Sequence, residues 1–225
     1  LYQYVCTPHI PNGMIGEFNV TNGSNTQTYV PDDKFESYLE ANGMGNGIAN
    51  DDYVITSAID TVIILNIENQ IISDLTGIED FVDLTYLQCS NNQLTSLDVS
   101  VNTALLQLYT ANNLLVSLNV SNCTNLKSLR FNNNQLTEID LSQNTHLIDL
   151  RCSSNQLISL DLSSNINLDH LDCYNNQLAS LDLSNNTALY HFHCGGNQLT
   201  SLDVSNNTAL ISLLCDGNLL ISLDL

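Results

Sequence analysis

Between Leu189 and Leu199 the chain reads LYHFHCGGNQL, placing two of its five histidines one residue apart. On an extended strand successive side chains alternate sides, so His191 and His193 point the same way. His170 precedes His191 by 21 residues, and Asp172 precedes His193 by the same interval. If that interval is one turn of a repeat, these four side chains form a square with sides of roughly 5–7 Å. Imidazole and carboxylate ligands in such a square could hold zinc or a similar ion. An open strand face, however, splays its side chains and supplies nothing from above. The expectation is that His170, Asp172, His191 and His193 are exposed contact residues, with no metal and no cofactor.

Hydrolytic chemistry is the other option for these positions. Asp149 and Asp172 are carboxylates one repeat apart, but they sit beside arginine and histidine on an exposed strip. A carboxylate pair needs a set separation in a pocket that restricts water. No Ser–His–Asp arrangement and no phosphate-binding loop is present, so the chain is not expected to be an enzyme.

A repeat must position these side chains. From Leu84 the chain returns every 21 residues, as in LTYLQCSNNQLTSLDVSVNTA and LYHFHCGGNQLTSLDVSNNTA, until it stops at SLDL. An earlier unit from Val62, VIILNIENQIISDLTGIEDFVD, has 22 residues and carries Gln70 where the others have asparagine. Alternating apolar residues such as Leu87 and Cys89 predict a short strand with one buried side. A single unit cannot bury that side alone, but stacked units share a continuous core. Leu94, Leu115, Leu136, Leu157, Leu178, Leu199 and Leu220 form one of its columns.

Polar columns run beside the leucines. Asn92, Asn113, Asn134, Asn155, Asn176, Asn197 and Asn218 are expected to hydrogen-bond buried backbone from rung to rung where the strand turns away. Asp98, Asn119, Asp140, Asp161, Asp182, Asp203 and Asp224 could form a calcium ladder. The preferred reading is that each accepts a backbone N–H of its own turn, a job Asn119 does without charge. Thr103, Thr124, Thr145, Thr187 and Thr208, a row broken by Ile166, are read as turn hydrogen-bonders rather than an ice-binding array. Cys89, Cys152, Cys173, Cys194 and Cys215 share one place in the repeat and are expected to be free, buried thiols.

The pattern L-x-x-L-x-[small or apolar]-x-x-N-x-L-x-x-L-[DN]-[LV]-S resembles the leucine-rich repeat, in the short bacterial form of internalin-like cell-surface proteins. The resemblance covers residues 62–225 and its motif is highly specific. It implies a leucine-rich repeat solenoid with a curved parallel β-sheet on its concave face. Turns and short irregular or 3-10 segments are expected on the convex face, with a small N-terminal helical cap. It also implies a secreted or surface-displayed bacterial protein engaged in adhesion, although no ligand-specific motif carries over.

Before the repeats, YVPDDKFESYLEANG predicts a short amphipathic helix. Asp32 or Asp33 caps it, Asp33 and Glu36 have capping-box spacing, and Asn42-Gly43 stops it. Phe35, Tyr38 and Leu39 would cover the open end of the first rung. The following GMGNGIANDDYV fails the calcium-loop pattern, since Met44 and Tyr53 fall where oxygen ligands are needed. The division is therefore an N-terminal extension of unassigned role (1–28), a helical cap (29–61) and a repeat domain of about eight rungs (62–225). The last rung breaks off in mid-pattern, so more chain is expected to follow Leu225 in the natural protein.

Residues on either side of each central leucine point to the concave face, and there the scaffold stops repeating. Tyr86, Tyr109, Arg130, Asp149, Arg151, His170, Asp172, Tyr174, His191 and His193 are the candidate ligand-binding residues. Of the four Lys and Arg residues, Lys127, Arg130 and Arg151 fall in these central units, against 24 Asp and Glu and a formal charge of −20 overall. A field of that sign repels nucleic acid and anionic membranes. No apolar stretch approaches the roughly 18 residues of a membrane span, and no leader-like segment opens the chain. The hydrophobic fraction of 43% is that of a folded protein. The expected activity is non-enzymatic binding of a protein ligand by a monomer through the concave face. A polysaccharide is the alternative, since tyrosine faces can stack on sugar rings.

Overall fold

A three-residue strand such as His191–His193 buries only its middle side chain, Phe192, and has no stability alone. The computed structural model, which describes residues 26–225, meets this by stacking. In chain order its elements begin with β1 (Gln27–Tyr29), α1 (Asp33–Ala41), β2 (Tyr53–Ile55), the one-turn α2 (Thr56–Ile59), β3 (Ile64–Asn66), a 3-10 turn (Ile78–Asp80) and β4 (Tyr86–Gln88). They continue as β5 (Ser96–Asp98), β6 (Gln107–Tyr109), β7 (Ser117–Asn119), β8 (Ser128–Arg130) and β9 (Asp149–Arg151). The last are β10 (His170–Asp172), β11 (His191–His193), β12 (Ser201–Asp203), β13 (Ser212–Leu214) and β14 (Ser222–Asp224).

Eight strands form one sheet in the order β13-β11-β10-β9-β8-β6-β4-β3. Every neighbour is parallel, and the register advances by one repeat per rung, as in Ser128↔Asp149↔His170↔His191. The molecule is a leucine-rich repeat solenoid, as the motif predicts. Its central column, Leu87, Leu108, Leu129, Leu150, Leu171 and Phe192, is buried, as are the leucines from Leu94 to Leu199.

The asparagine column closes each rung on its neighbour. Nδ2 of Asn155 donates to Phe131 O and Cys152 O, both at 3.1 Å, while its Oδ1 accepts from Leu136 N at 3.1 Å. The same set recurs at Asn134, Asn176 and Asn197. Immediately before each of these asparagines the backbone is left-handed, at Asn91, Asn112, Asn133, Ser154, Asn175, Gly196 and Gly217. Asparagine and glycine are the residues that tolerate that region best, which explains their dominance at this place.

A second ladder lies across the core, at the place just before the threonines. Asn144 donates to Val120 O and Cys123 O, Asn165 to Leu141 O and Asn144 O, and Asn186 to Leu162 O and Asn165 O. This corrects the reading of the threonine row: among the described residues the hydroxyls of Thr103, Thr124, Thr145, Thr187 and Thr208 make no side-chain hydrogen bond, and the buried asparagines beside them do that work. Their Oδ1 atoms have no partner, so only the donor is used. Cys123 occupies the same place and its Sγ donates to Val99 O at 3.2 Å, a donor-only substitute.

The aspartate column behaves as turn caps. Oδ1 of Asp161 accepts from Ser163 N at 2.9 Å, with equivalents at Asp98, Asp140, Asp182 and Asp203 and with Asn119 at 3.2 Å. Hydrogen bonds from the serine backbone, then its hydroxyl, hold Asp161 below its usual pKa despite repulsion from Asp140 and Asp182. Two stretches here are more regular than expected: β5 pairs with β7 and β12 with β14, both parallel, where turns and irregular segments were predicted. The described cysteines are free thiols. Burial pushes Cys89 and Cys194 up to about 12 and Cys123 up to about 11, so they stay protonated and unreactive.

At the other end, α1 is capped by Asp32, whose Oδ1 accepts from Lys34 N and Phe35 N. Its Oδ2 accepts from Ser73 N, Ser73 Oγ and Asp74 N, fastening the helix to the first rung. Phe35 and Leu39 are buried, and Phe35 stacks on Phe81 with ring centroids 6.2 Å apart. Tyr38 donates its hydroxyl to Asn66 O at 2.6 Å. β1, which the sequence did not suggest, pairs antiparallel with β2. Of the N-terminal extension, residues 1–25 lie outside the described residues.

Candidate interaction surface

Strand alternation sends the outer residues of β4, β6, β8, β9, β10 and β11 to one side of the sheet while the central leucines go to the core. Nine of the ten candidate residues are outer residues of these strands, and the tenth, Tyr174, follows β10 and stacks on His193; between them they form two clusters.

The first is built around Asp149. Its Oδ2 accepts from Arg130 Nε at 2.8 Å and Ser128 Oγ at 3.1 Å, and Arg130 Nη2 lies at 2.7 Å. Its Oδ1 accepts from Arg151 Nε at 3.0 Å. Burial raises the Asp149 pKa, but the hydrogen bonds from Arg151 and Arg130 and their charges outweigh this and hold it below the usual value. Arg130 in turn lies over the Tyr109 ring at 4.6 Å, and Tyr109 meets Tyr86 edge-to-face at 5.4 Å. The strip of positive charge read from the sequence is thus partly neutralised. One aspartate holds both arginines, and the cluster keeps one net positive charge.

The second cluster holds the histidines. His170 and His191 are register partners with centroids 4.6 Å apart, and Tyr190 packs edge-on to His191 at 4.8 Å. His193 stacks on Tyr174 at 4.7 Å, and its Nδ1 lies 3.5 Å from Asp172 Oδ1. The square, expected to be contact residues rather than a metal site, does not bring three of its ligand atoms within 4.8 Å of one another. Nδ1 of His170 turns away from it to pair with Asp169. Asp169 and Tyr190 also belong to this cluster; both immediately precede a strand, so alternation within the strand does not point to them. Asp149, Arg151, His170, Asp172, His191 and His193 line a shallow hollow of about 240 Å³ with Phe192 and Leu171 at its floor.

No protein-family model matches the chain, and no curated protein does. Solved structures do. The functional domain of InlJ from Listeria monocytogenes, which includes a cysteine ladder, is 27% identical, with a TM-score of 0.57 over 89% of this chain. The present chain spans 61% of that domain's length. Internalin C2 from Listeria monocytogenes is 23% identical with a TM-score of 0.72, covering 86% of this chain and 90% of its own. A leucine-rich repeat protein of Leptospira interrogans is 21% identical with a TM-score of 0.54, over 66% of this chain and 50% of its own. These likenesses agree with the solenoid fold. No helix among the described residues is long and apolar enough to cross a membrane.

Proposed function

We propose that this chain is a non-enzymatic binding module, displayed outside a bacterial cell, that engages a protein ligand through the outer side of its eight-stranded sheet. The observation that carries this reading is the contrast between scaffold and face. Leucine, asparagine and aspartate columns barely change along the solenoid, whereas the face carries tyrosine, arginine and histidine held by mutual contacts. Tyrosine and arginine dominate protein interfaces energetically, and side chains already fixed before binding lose less entropy on association. The likeness to InlJ, and to internalin C2 in fold, supports a surface-interaction role. Eight strands spaced at about 4.8 Å give a strip roughly 34 Å long, enough for an interface of ordinary size.

The test is a panel of purified host and bacterial surface proteins, with a glycan array in parallel, probed with the wild type, Arg130→Ala/Arg151→Ala and the flank control Thr187→Ala. A protein hit lost only in the double variant is the expected result. Glycan hits lost in that variant would replace the protein ligand with a polysaccharide. Hits indifferent to it would move the site off this face.

A further inference from the structure

The repeats explain the side chains they carry, but the N-terminal cap holds a group they do not. Asp33 and Glu36 on the first turn of α1 and Asp52 at the end of the following loop each bring a carboxylate oxygen within 4.8 Å of the others. Helical spacing of three puts Asp33 and Glu36 on one face. Asp52 reaches them from a left-handed backbone, φ 64°. Glu36 is fully buried. Its Oε1 accepts from Asp51 N at 3.1 Å, but its Oε2 has no hydrogen-bond partner. Among the described residues no lysine, arginine or histidine pairs with any of the three.

A buried carboxylate oxygen with neither donor nor counter-charge is destabilising, and two more carboxylates beside it add repulsion. The arrangement lacks a positive partner. We propose that Asp33, Glu36 and Asp52 form a calcium site. The donors are all oxygens, which select a hard cation over zinc or copper. Calcium accepts an irregular shell completed by water and backbone carbonyls, whereas magnesium demands a near-regular octahedron. The loop reading GMGNGIANDDYV fails as a contiguous calcium loop because the ligands come instead from a helical turn and the loop's far end. Asp52 O also accepts from Val30 N at 2.8 Å, so the ion ties α1, the loop and the β1–β2 pair into one cap over the first rung.

The experiment is a calcium titration of the chelator-treated chain by calorimetry, with thermal melting in parallel. Asp33→Asn and Asp52→Asn remove charge but keep size, and asparagine tolerates the left-handed backbone at 52. Asp161→Asn, from the exposed aspartate column, is the control. The expected result is one saturable site, weakened at least tenfold by either cap variant and unchanged in Asp161→Asn. In chelator the cap variants melt above the wild type, because repulsion is relieved. In calcium the order reverses. No saturable binding up to roughly 10 mM, above the range of extracellular calcium modules, overturns the site. Binding that survives both cap variants overturns it too.

Discussion

At the scale of single residues, Asp149 decides how the face presents its charge. Asp149→Ala removes the shared acceptor of Arg130 and Arg151, so both guanidiniums become free to swing. The expected outcome is looser arginine side chains, visible as narrowed NMR resonances of their Nε groups, and weaker ligand binding despite the gain of net positive charge. The Asp149 carboxyl is depressed in the folded chain, so its contribution to stability is present above the unfolded aspartate value of about 3.9 and is lost as pH falls below that value. The Asp149→Asn variant should therefore be less stable than the wild type in denaturant melts at neutral pH, and the gap should narrow as the pH is lowered through the carboxylate range. Cys123 gives a second residue-scale test. Only the donor of its ladder place is used, so Cys123→Asn, which restores two donors, is expected to be tolerated within about 1 kcal/mol by denaturant melts, and Cys123→Leu is not.

At the scale of the repeat, the asparagine turn carries the stacking. Asn155→Ala leaves Leu136 N unpaired in the interior and removes one of two donors from Phe131 O and from Cys152 O, which Asn134 and Asn176 still reach. At about 1–3 kcal/mol for the one buried N–H left unpaired and about 0.5–1.5 kcal/mol for each of the two other hydrogen bonds lost, a loss of at least about 2 kcal/mol is expected in urea denaturation. Asn155→Asp should be worse, since a carboxylate cannot donate and brings a buried charge. One place earlier, Ser154 occupies the left-handed region at φ 53° where its column has asparagine or glycine. Ser154→Gly is expected to stabilise the chain by about 0.5–1 kcal/mol. The seven-fold recurrence of Asn92 made the first ladder legible in the sequence. The second is less legible, because Cys123 breaks it and a threonine follows it in most units. Its signal was there in Asn102, Asn144, Asn165, Asn186 and Asn207.

For the molecule as a whole, stability is a sum over rungs and their nearest-neighbour contacts. Cys215 and Leu220 are only partly buried in the last rung, whereas Cys152, Cys173 and Leu178 are sealed. Native-state alkylation mapped by mass spectrometry should therefore modify Cys215 well before those inner thiols. Equal rates along the column would mean that the solenoid opens as one cooperative body. The net charge of −20 acts on all rungs together. Self-repulsion is screened as the Debye length shrinks from about 30 Å at 0.01 M salt to about 10 Å at 0.1 M, so the melting temperature should rise across that range.

A period of 21 with leucine, asparagine and aspartate at set places leaves one way to bury the apolar residues, and local alternation then fixes which side each face residue takes. That is why the solenoid, the core columns and the orientation of the strand residues could be read from the chain. What neighbours do to one another could not. Asp149 binding two arginines, His170 turning to Asp169 instead of to its square, and the pairing of β5 with β7 depend on rotamers and rung spacing that periodicity does not encode. The cap shows the limit most plainly. Asp33, Glu36 and Asp52 match no linear motif, and only the fold of the 42–52 loop back onto α1 brings their carboxylates together.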